Sequence, residues 1–220
     1  MWIKICANTN LEDALLAAEA GADAVGFVFA ESPRRVTAKQ VSAITKHLPA
    51  ALEKLGVFVD SSFEEIAQTV TECGLTGVQL HTSRDPRLVE KLSAHFGPGL
   101  TILRVIHYSQ AFEEQLKAVQ ADVGLSGVLV DSRTATAVGG TGLCFDWKAA
   151  RRGFVAAAPR LKLIAAGGLH PANVAEAIQT LEPWGVDVAS GVESAPGKKD
   201  PALVRAFVSA ARAAAAASMA

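Results

Sequence analysis

Long hydrophobic runs and blocks of like charge are both missing from this chain of 220 residues. No stretch approaches the roughly 20 uninterrupted apolar residues of a membrane-spanning helix, so we expect no membrane partner. The formal net charge is −1, and no cluster of lysines and arginines supplies the basic face that nucleic acid requires. The sequence therefore predicts no nucleic-acid partner, and an anionic ligand would have to be held by local groups.

Cysteine is scarce as well. The three cysteines, Cys6, Cys73 and Cys144, are far apart and lack C-x-x-C spacing, which predicts neither a disulfide framework nor a zinc site. Free thiols are typical of a reducing compartment. Residues 1–6 favour a strand over a signal peptide, because no small-residue cleavage site follows a long apolar core. We expect a cytoplasmic protein that holds no metal.

Short apolar runs alternate with longer amphipathic segments along the chain, and hydrophobic residues make up 50% of it. Eight runs are short and almost entirely apolar, as strands buried on both faces should be. These predicted strands span residues 2–6, 24–29, 55–59, 77–80, 101–106, 127–130, 161–165 and 186–189. Predicted helices lie between and after them, at residues 11–20, 38–47, 63–73, 86–95, 110–123, about 145–152, 171–181 and 201–212.

Eight alternations of roughly 27 residues each match the smallest barrels of alternating strands and helices. We therefore predict a single α/β domain over residues 1–220, a (β/α)8 TIM barrel. A doubly wound open sheet is the alternative, but it usually carries a glycine-rich turn after its first strand, where this chain has Cys6-Ala7-Asn8-Thr9. The alanine-rich tail is expected to extend the last helix and to fray from about residue 213.

The active site of such a barrel is built from the carboxyl ends of the strands and the loops after them. Glycine pairs follow the last two strands, at Gly167-Gly168 and at Ser190-Gly191. Glycine lets the backbone approach a ligand closely, and N–H groups at a helix start bind anions. The pattern predicts a phosphate site between these strands, with the loop at residues 138–142 as a lid, a third phosphate contact or a plain surface loop.

Cys6 ends the first strand and has two interpretations. It is either a small buried hydrophobic residue or a thiolate base or nucleophile, which needs a cationic neighbour. Strand alternation places Lys4 on the same barrel-facing side, and buried lysines are rarely unpaired. Asp187 on the eighth strand is the predicted partner. The hypothesis is that a Lys4–Asp187 pair lies under the site and helps to hold Cys6 as thiolate.

Asp131 closes the sixth strand, where it is either a turn residue or a desolvated carboxyl group that acts as general acid. It and Cys6 are predicted to lie on facing parts of the rim, the arrangement that proton-transfer isomerisation needs. Arg34 follows the second strand as a solvated arginine or as a bidentate partner of a carboxylate. His81 and His107 are predicted to be wall or hydrogen-bonding residues instead of bases.

A series of motifs runs in order from residue 3 to about residue 200. It consists of Lys4-Ile5-Cys6, residues 10–14 and 21–29, Ser32-Pro33-Arg34, residues 56–59, 78–81 and 130–132, residues 139–142 with 145–147, Gly167-Gly168-Leu169, and residues 187–193 with 196–200. The last of these is the most distinctive. Together the motifs resemble the phosphoribosylanthranilate isomerase family, which agrees with the barrel predicted above.

The resemblance implies a cofactor-free Amadori rearrangement of N-(5-phosphoribosyl)anthranilate in tryptophan biosynthesis. It implies that Asp131 is the general acid at the furanose ring oxygen and that Cys6 is the general base at the sugar C2′. Arg34 would hold the anthranilate carboxylate. The other implied substrate contacts are His81 and Asp187, with the phosphate held at Gly140, Gly142, Gly168, Ser190 and Gly191. The expected partner is a small phosphosugar, bound by a monomer or a homodimer.

Two residues depart from the family pattern, which usually has glycine after this cysteine and after the histidine of the fourth strand. Here Ala7 and Thr82 stand in those places. If glycine served a positive φ angle, Ala7 would cost about 1 kcal/mol or more. A histidine-pathway isomerase and a non-catalytic phosphosugar-binding barrel are the alternatives. The first is expected to carry aspartate in place of Cys6, and joint retention of Cys6, Asp131 and Arg34 argues against the second.

Overall fold

Eight parallel strands close into a barrel in which each strand pairs with the next and the eighth pairs with the first. The computed structural model describes residues 1–82, 84–131, 146–158 and 161–217. The strands are β1 (Trp2–Ile5), β2 (Ala24–Val28), β3 (Glu53–Phe58), β4 (Gly77–Leu80), β5 (Thr101–His107), β6 (Gly127–Asp131), β7 (Leu163–Ala166) and β8 (Gly185–Val188). The predicted (β/α)8 barrel is confirmed.

A helix follows each strand. The helices are α1 (Leu11–Glu19), α2 (Ala38–Thr45), α3 (Phe63–Cys73), α4 (Leu88–Phe96), α5 (Phe112–Val119), α6 (Trp147–Ala157), α7 (Val174–Leu181) and α8 (Pro201–Ala217). Local capping explains several starts: the Asn10 side chain accepts from the backbone N–H of Asp13, and Ser62 forms a capping box with Glu65. Of the helices described, none combines the length and the apolar character needed to cross a bilayer.

The last helix is longer than expected. It continues to Ala217, past residue 213, where the sequence predicts that fraying begins. Alanine is the best helix former, and Ala214 is buried against the hydrophobic core. Tertiary packing therefore reaches into the alanine-rich segment, and the fraying of the tail stays a prediction.

Strand side chains divide between two buried layers. The layer inside the barrel consists of Trp2, Ala24, Leu55, Leu103, Val105, Leu129, Ile164 and Ala166, and the other lies between the sheet and the helices. Successive strand residues point to opposite faces, so steps of two lead from Trp2 to Lys4 and Cys6, and from Leu129 to Asp131. The inner face therefore carries polar side chains toward the carboxyl end of the barrel.

A small hairpin follows the barrel strands and is not predicted from the sequence. A single turn of 3-10 helix at Ser190–Val192 leads into β9 (Glu193–Ala195), which pairs antiparallel with β10 (Lys198–Lys199). The Thr9 hydroxyl donates to the Gly197 carbonyl at 2.6 Å, and the Lys199 N–H donates to the Asp13 carboxylate at 3.0 Å. The hairpin thereby ties the segment after β8 to the loop after β1 and the first turn of α1.

Candidate active site

Cys6 lies directly after β1, and only 6% of its surface is exposed. Its backbone N–H donates to the Val188 carbonyl of β8 at 2.8 Å. Gly26 on the neighbouring β2 leaves room for the thiol, since a Cβ added there would lie 2.6 Å from Cys6 Sγ and 3.0 Å from Lys4 Cε. Gly26 is thus a site residue whose role is not predicted from the sequence. A glycine inside a buried strand, where a close approach is common, is the signal that could have found it.

Lys4 is completely buried on the inner face of β1. Its ammonium donates to Asp187 Oδ1 at 2.8 Å and to Gln79 Oε1 at 2.8 Å, so the predicted Lys4–Asp187 pair is confirmed. Gln79 Nε2 in turn lies 3.1 Å from His81 Nε2. A chain of polar contacts therefore crosses the barrel from β8 to β4, with Gln79 as a member that is not predicted from the sequence.

Burial and the charge of Lys4 act on the Cys6 thiol in opposite directions. Burial raises the pKa of the Cys6 thiol, Lys4 opposes that shift, and Asp187 adds to it. For Lys4, burial would lower the pKa, but the attraction of Asp187 and Cys6 outweighs burial and the pKa is raised. Lys4 acts on Cys6 in the predicted sense. Desolvation of the sulfur is nevertheless the larger effect, so the net pKa of Cys6 is raised.

Asp131 is the last residue of β6 and is 4% exposed. It lies in register with His107 of β5 and Ala166 of β7, on the inner face of the barrel. In the ring of eight strands, β7 and β8 separate β6 from β1. Cys6 and Asp131 therefore reach the same mouth from different sides, although the strand diametrically opposite β1 is β5.

Arg34 lies between β2 and α2, and its guanidinium is already engaged. Its Nε lies 3.0 Å from both carboxylate oxygens of Glu193, and its Nη2 lies 2.6 Å from Oε2. Lys199 Nζ approaches Glu193 Oε1 from the other side at 3.0 Å and also donates to the Ala189 carbonyl at 3.2 Å. The contact with Glu193 and Lys199 is not predicted from the sequence, although both belong to the distinctive motif near the end of the chain.

The ion-pair cluster of Arg34, Glu193 and Lys199 shifts the pKa of each of its members. Burial alone would raise the pKa of Glu193, but hydrogen bonds from Arg34 and the charge of Lys199 outweigh burial and the pKa is lowered. The hydrogen bonds with Glu193 raise the pKa of Arg34. Burial lowers the pKa of Lys199 against the pull of Glu193. The carboxylate is therefore firmly ionised between two cations.

The two departures from the family pattern differ in structure. Ala7 has a φ of +64°, the left-handed region that favours glycine, so the condition under which we predict a cost at Ala7 is met. Of the described residues other than glycine, only Ala7, Asp60 and Glu182 have positive φ. Thr82 is not among them, and backbone conformation gives no reason for glycine there.

The loops after β7 and β8 touch each other through backbone atoms. Gly167 and Gly168 have φ angles of +79° and +66°. A Cβ added to Gly191 would lie 1.9 Å from the Leu169 carbonyl oxygen, so no other residue fits at Gly191. The two glycine segments therefore adjoin each other at the mouth, with Ser190 at the start of the 3-10 turn, and the phosphate site between them stays a prediction. The predicted contacts Gly140 and Gly142 lie outside the described residues.

Nowhere in the described ranges do three or more histidine, cysteine, aspartate or glutamate side chains gather as a metal ion would require. Fold and site together define a (β/α)8-barrel enzyme whose mouth presents a thiol, a carboxyl group and a guanidinium. The family model of N-(5'phosphoribosyl)anthranilate (PRA) isomerase matches residues 3–210. The chain belongs to this family.

Relatives with this activity match over nearly their whole length. The N-(5'-phosphoribosyl)anthranilate isomerase of Pelobacter propionicus is 42% identical over 207 residues, covering 94% of this chain and 93% of that one. Its counterpart in Geobacter sulfurreducens is 43% identical and covers 94% and 96%. The crystal structure of the Thermotoga maritima enzyme has a TM-score of 0.84 at 35% identity, covering 97% of this chain and 99% of that one.

Another solved relative was crystallised with a bound ligand. It is a phosphoribosyl anthranilate isomerase in complex with reduced 1-(o-carboxyphenylamino)-1-deoxyribulose 5-phosphate, with a TM-score of 0.80 and 33% identity, covering 97% of this chain and 99% of that chain. The bound molecule combines a benzoate carboxylate with a sugar phosphate.

Proposed function

We propose that the protein isomerises N-(5-phosphoribosyl)anthranilate to 1-(2-carboxyphenylamino)-1-deoxyribulose 5-phosphate, an Amadori rearrangement in tryptophan biosynthesis. Family membership over residues 3–210 supports this assignment. The observation that carries it is the placement of Cys6 directly after β1 and of Asp131 at the end of β6, both buried at the carboxyl ends of barrel strands. A thiol and a carboxyl group placed in this way serve as base and acid on one substrate.

Asp131 acts first, as the general acid. It protonates the furanose ring oxygen, the bond from that oxygen to C1′ breaks, and the nitrogen lone pair forms a Schiff base with C1′. Cys6 as thiolate then takes the proton from C2′, and the electron pair forms the double bond of an enolamine. The enolamine tautomerises to the ketone. Each positioned proton transfer contributes about 10²–10⁴-fold to the rate, and the reaction consumes no oxidant or reductant.

Lys4 lowers the cost of forming the thiolate. The raised pKa of Cys6 means that the sulfur is mostly protonated near neutral pH, so ionisation is a prerequisite of the base step. The buried ammonium acts on the sulfur through its charge and through a hydrogen bond. Asp187 and Gln79 keep that ammonium in place under the site. In this proposal Asp187 contributes to substrate binding through Lys4, and His81 does so from the far end of the same chain of contacts.

Two anion sites orient the substrate. Arg34 holds the anthranilate carboxylate, and backbone N–H groups of Gly168, Ser190 and Gly191 hold the phosphate, with Gly140 and Gly142 as further predicted contacts. Support comes from the packing of the two glycine loops against each other and from the partial exposure of Arg34. Fixing both ends of a substrate supplies much of the orientation that catalysis needs.

Substitution of the acid and the base tests the mechanism. We expect Cys6→Ser and Asp131→Asn each to lower kcat by about 10²–10⁴-fold. Turnover is measured from the change in fluorescence of the anthranilate substrate. Cys73→Ser is the matched control, because Cys73 is equally buried but bonds the Ala38 carbonyl outside the barrel interior. A wild-type rate in the Cys6→Ser, Asp131→Asn double variant would refute the proposed roles.

The chemistry of the thiol supports a cytoplasmic location. A thiol that works as a base must stay reduced, which supports the reducing cytoplasm as its site of action. The assembly, monomer or homodimer, stays a prediction. The Thermotoga maritima relative is described as dimeric, and monomers have been generated from it.

A further inference from the structure

The cluster of Arg34, Glu193 and Lys199 is built more tightly than a surface ion pair. The side chain of Lys199 is 0% exposed and that of Glu193 is 3% exposed, whereas Arg34 retains 22%. Charge-assisted hydrogen bonds reach the Glu193 carboxylate from both cations, and the Gly197 N–H donates to it at 3.3 Å. Only the arginine of this cluster therefore reaches the outside.

Glu193 occupies one edge of the guanidinium, formed by Nε and Nη2. Among the contacts within the described part of the chain, none engages Nη1. Guanidinium presents its five N–H donors in a rigid planar fork, so a carboxylate on one edge determines where the other edge points. Glu193 therefore fixes the guanidinium of Arg34 along one edge, and the remaining edge is directed away from Glu193.

Three loops hold the contact between Arg34 and Glu193 in place. Glu193 begins the hairpin of β9 and β10, which is tied to the loop after β1 by the bond from Thr9 to Gly197 and to α1 by the bond from Lys199 to Asp13. Arg34 comes from the loop after β2. Glu193 is therefore fixed in position by the hairpin, and its hydrogen bonds determine the orientation of the Arg34 guanidinium.

The neighbouring pair on the same loop shows the contrast. Arg35 pairs with Glu31, but their side chains are 55% and 87% exposed. Such an exposed pair contributes little to structure and is free to rearrange. Arg34 and Arg35 are adjacent in sequence, but the pair of Arg34 with Glu193 is largely buried whereas the pair of Arg35 with Glu31 is exposed. The exposed pair is therefore a natural control.

Charge adds a second effect. Two cations against one carboxylate leave a surplus of positive charge in the cluster, and that surplus is accessible only through Arg34. Without Glu193, two adjacent cations would repel each other and Arg34 would swing toward solvent. The carboxylate thus keeps the anion-binding group at the rim of the mouth.

We propose that Glu193 is a positioning residue that aims the open edge of Arg34 at the aromatic carboxylate of the substrate and so determines selectivity for an amine substituent that carries this carboxylate. The inference rests on the function proposed above. It adds a residue 159 positions away in sequence from the arginine that it serves.

The test compares two ligands, the reduced product analogue and the same molecule without its carboxyl group. Dissociation constants are measured by calorimetry for the protein and for Glu193→Gln. Since hydrogen bonds to charged groups are the strong ones, we expect Glu193→Gln to cut the preference for the carboxylated ligand by about 10–100-fold. Binding of the ligand without the carboxyl group should stay within about twofold, and KM should rise more than kcat falls.

Control variants separate the possible causes. Glu31→Gln should leave the preference unchanged, because it breaks only the exposed pair with Arg35. In an Arg34→Met background, Glu193→Gln should cause no further loss of preference, since the two residues act as one unit. Equal weakening of both ligands by Glu193→Gln, or additive losses in the double variant, would overturn the inference.

Two further outcomes are decisive. If Glu193→Gln fails to fold, Glu193→Asp carries the test, because it keeps the charge beside Lys199 but is one methylene short of Arg34; an undiminished preference in that variant overturns the inference. If Arg34→Met keeps the full preference, the assignment of Arg34 under the proposed function fails as well. Loss of preference in Arg34→Met with full preference in Glu193→Gln refutes only the role of Glu193.

Discussion

At the scale of single residues, strain and burial concentrate beside Cys6, the proposed base. Ala7, the next residue, has a left-handed backbone, and Lys4 is completely buried two positions before Cys6. Strained residues persist only where the surrounding structure determines them. Here the surroundings are the pairing of Cys6 with β8 and the loop that continues from Ala7 to the hairpin contact of Thr9.

Ala7→Gly should stabilise the protein. A left-handed conformation costs an L-residue about 1–2 kcal/mol, a cost that glycine avoids. The greater conformational freedom of glycine in the unfolded chain lowers the free energy of unfolding by about 0.4–1 kcal/mol and so offsets part of this gain. We expect a net increase of about 0.5–1 kcal/mol in the free energy of unfolding, measured with urea. The same change in the middle of α3, Ala67→Gly, should destabilise by about 0.5–1 kcal/mol. A loss of stability in both variants would contradict the strain at Ala7.

Lys4→Met should raise the pKa of Cys6 still further, because Lys4 is the neighbour that most strongly favours the thiolate. The measurement is the rate of iodoacetamide labelling at Cys6 against pH, with the site identified by peptide mass spectrometry. Since the variant leaves Asp187 buried without its cation, Asp187→Asn is combined with it in a second protein. An unchanged labelling profile in Lys4→Met would exclude Lys4 as the group that tunes the base.

At the scale of secondary-structure elements, the spacing between neighbouring strands decides what the site holds. β2 approaches β1 at Gly26, where even a methyl group would collide with the sulfur of Cys6 at 2.6 Å. On the rim of the barrel, the hairpin of β9 and β10 places Glu193 in contact with Arg34. Strand pairing thus positions the Cys6 thiol, and a hairpin outside the barrel contacts Arg34 through Glu193.

Gly26→Ala should therefore damage activity more than stability. Displacement of a catalytic atom by about 1 Å costs on the order of 10²-fold in rate, and we expect kcat to fall by about that factor. Gly74→Ala is the control: Gly74 has a φ of +59° and nothing lies within 4 Å of an added Cβ, so it should lose about 1 kcal/mol of stability and keep its kcat. Equal kcat in the two variants would show that Gly26 does not set the sulfur position.

At the scale of the whole molecule, the pH range of stability follows from groups in different layers. The pKa of Glu193 is lowered, so its contribution is present above the ordinary pKa of glutamate and is lost in acid. The pKa of Lys4 and of Cys6 is raised, and burial raises the pKa of Cys73 from 9.0 to about 11. Groups of this second kind stabilise the fold fully below their ordinary pKa and lose that effect as pH rises.

We expect the free energy of unfolding to decrease as pH rises from 9.0 to about 11. In that window the thiol of Cys73 ionises in the unfolded chain while it stays protonated in the core, which contributes up to about 1.4 kcal/mol per pH unit. Urea denaturation at several pH values measures the slope. The slope should be shallower in Cys73→Ala, and identical slopes would exclude Cys73 as a source of alkaline instability.

Local pattern determined most of the architecture. The predicted strands overlap the observed ones because apolar periodicity and burial on both faces act over a few residues. The rule that the chemistry of a barrel lies at the carboxyl ends of its strands selected Cys6 and Asp131, and strand alternation with barrel closure sufficed to pair Lys4 with Asp187. These inferences need only short spacings and one assumption about topology.

Tertiary structure alone decided how those residues are used. Glu193 reaches Arg34 across 159 positions, and Gln79 reaches Lys4 across 75; no periodicity encodes which loop meets which. The direction of the pKa shift at Cys6 likewise depended on how dry the barrel interior is, since desolvation outweighs the nearby cation. The sequence by itself determined the barrel and the types of its reactive groups, while the folded chain decided their partners, their clearance and their charge.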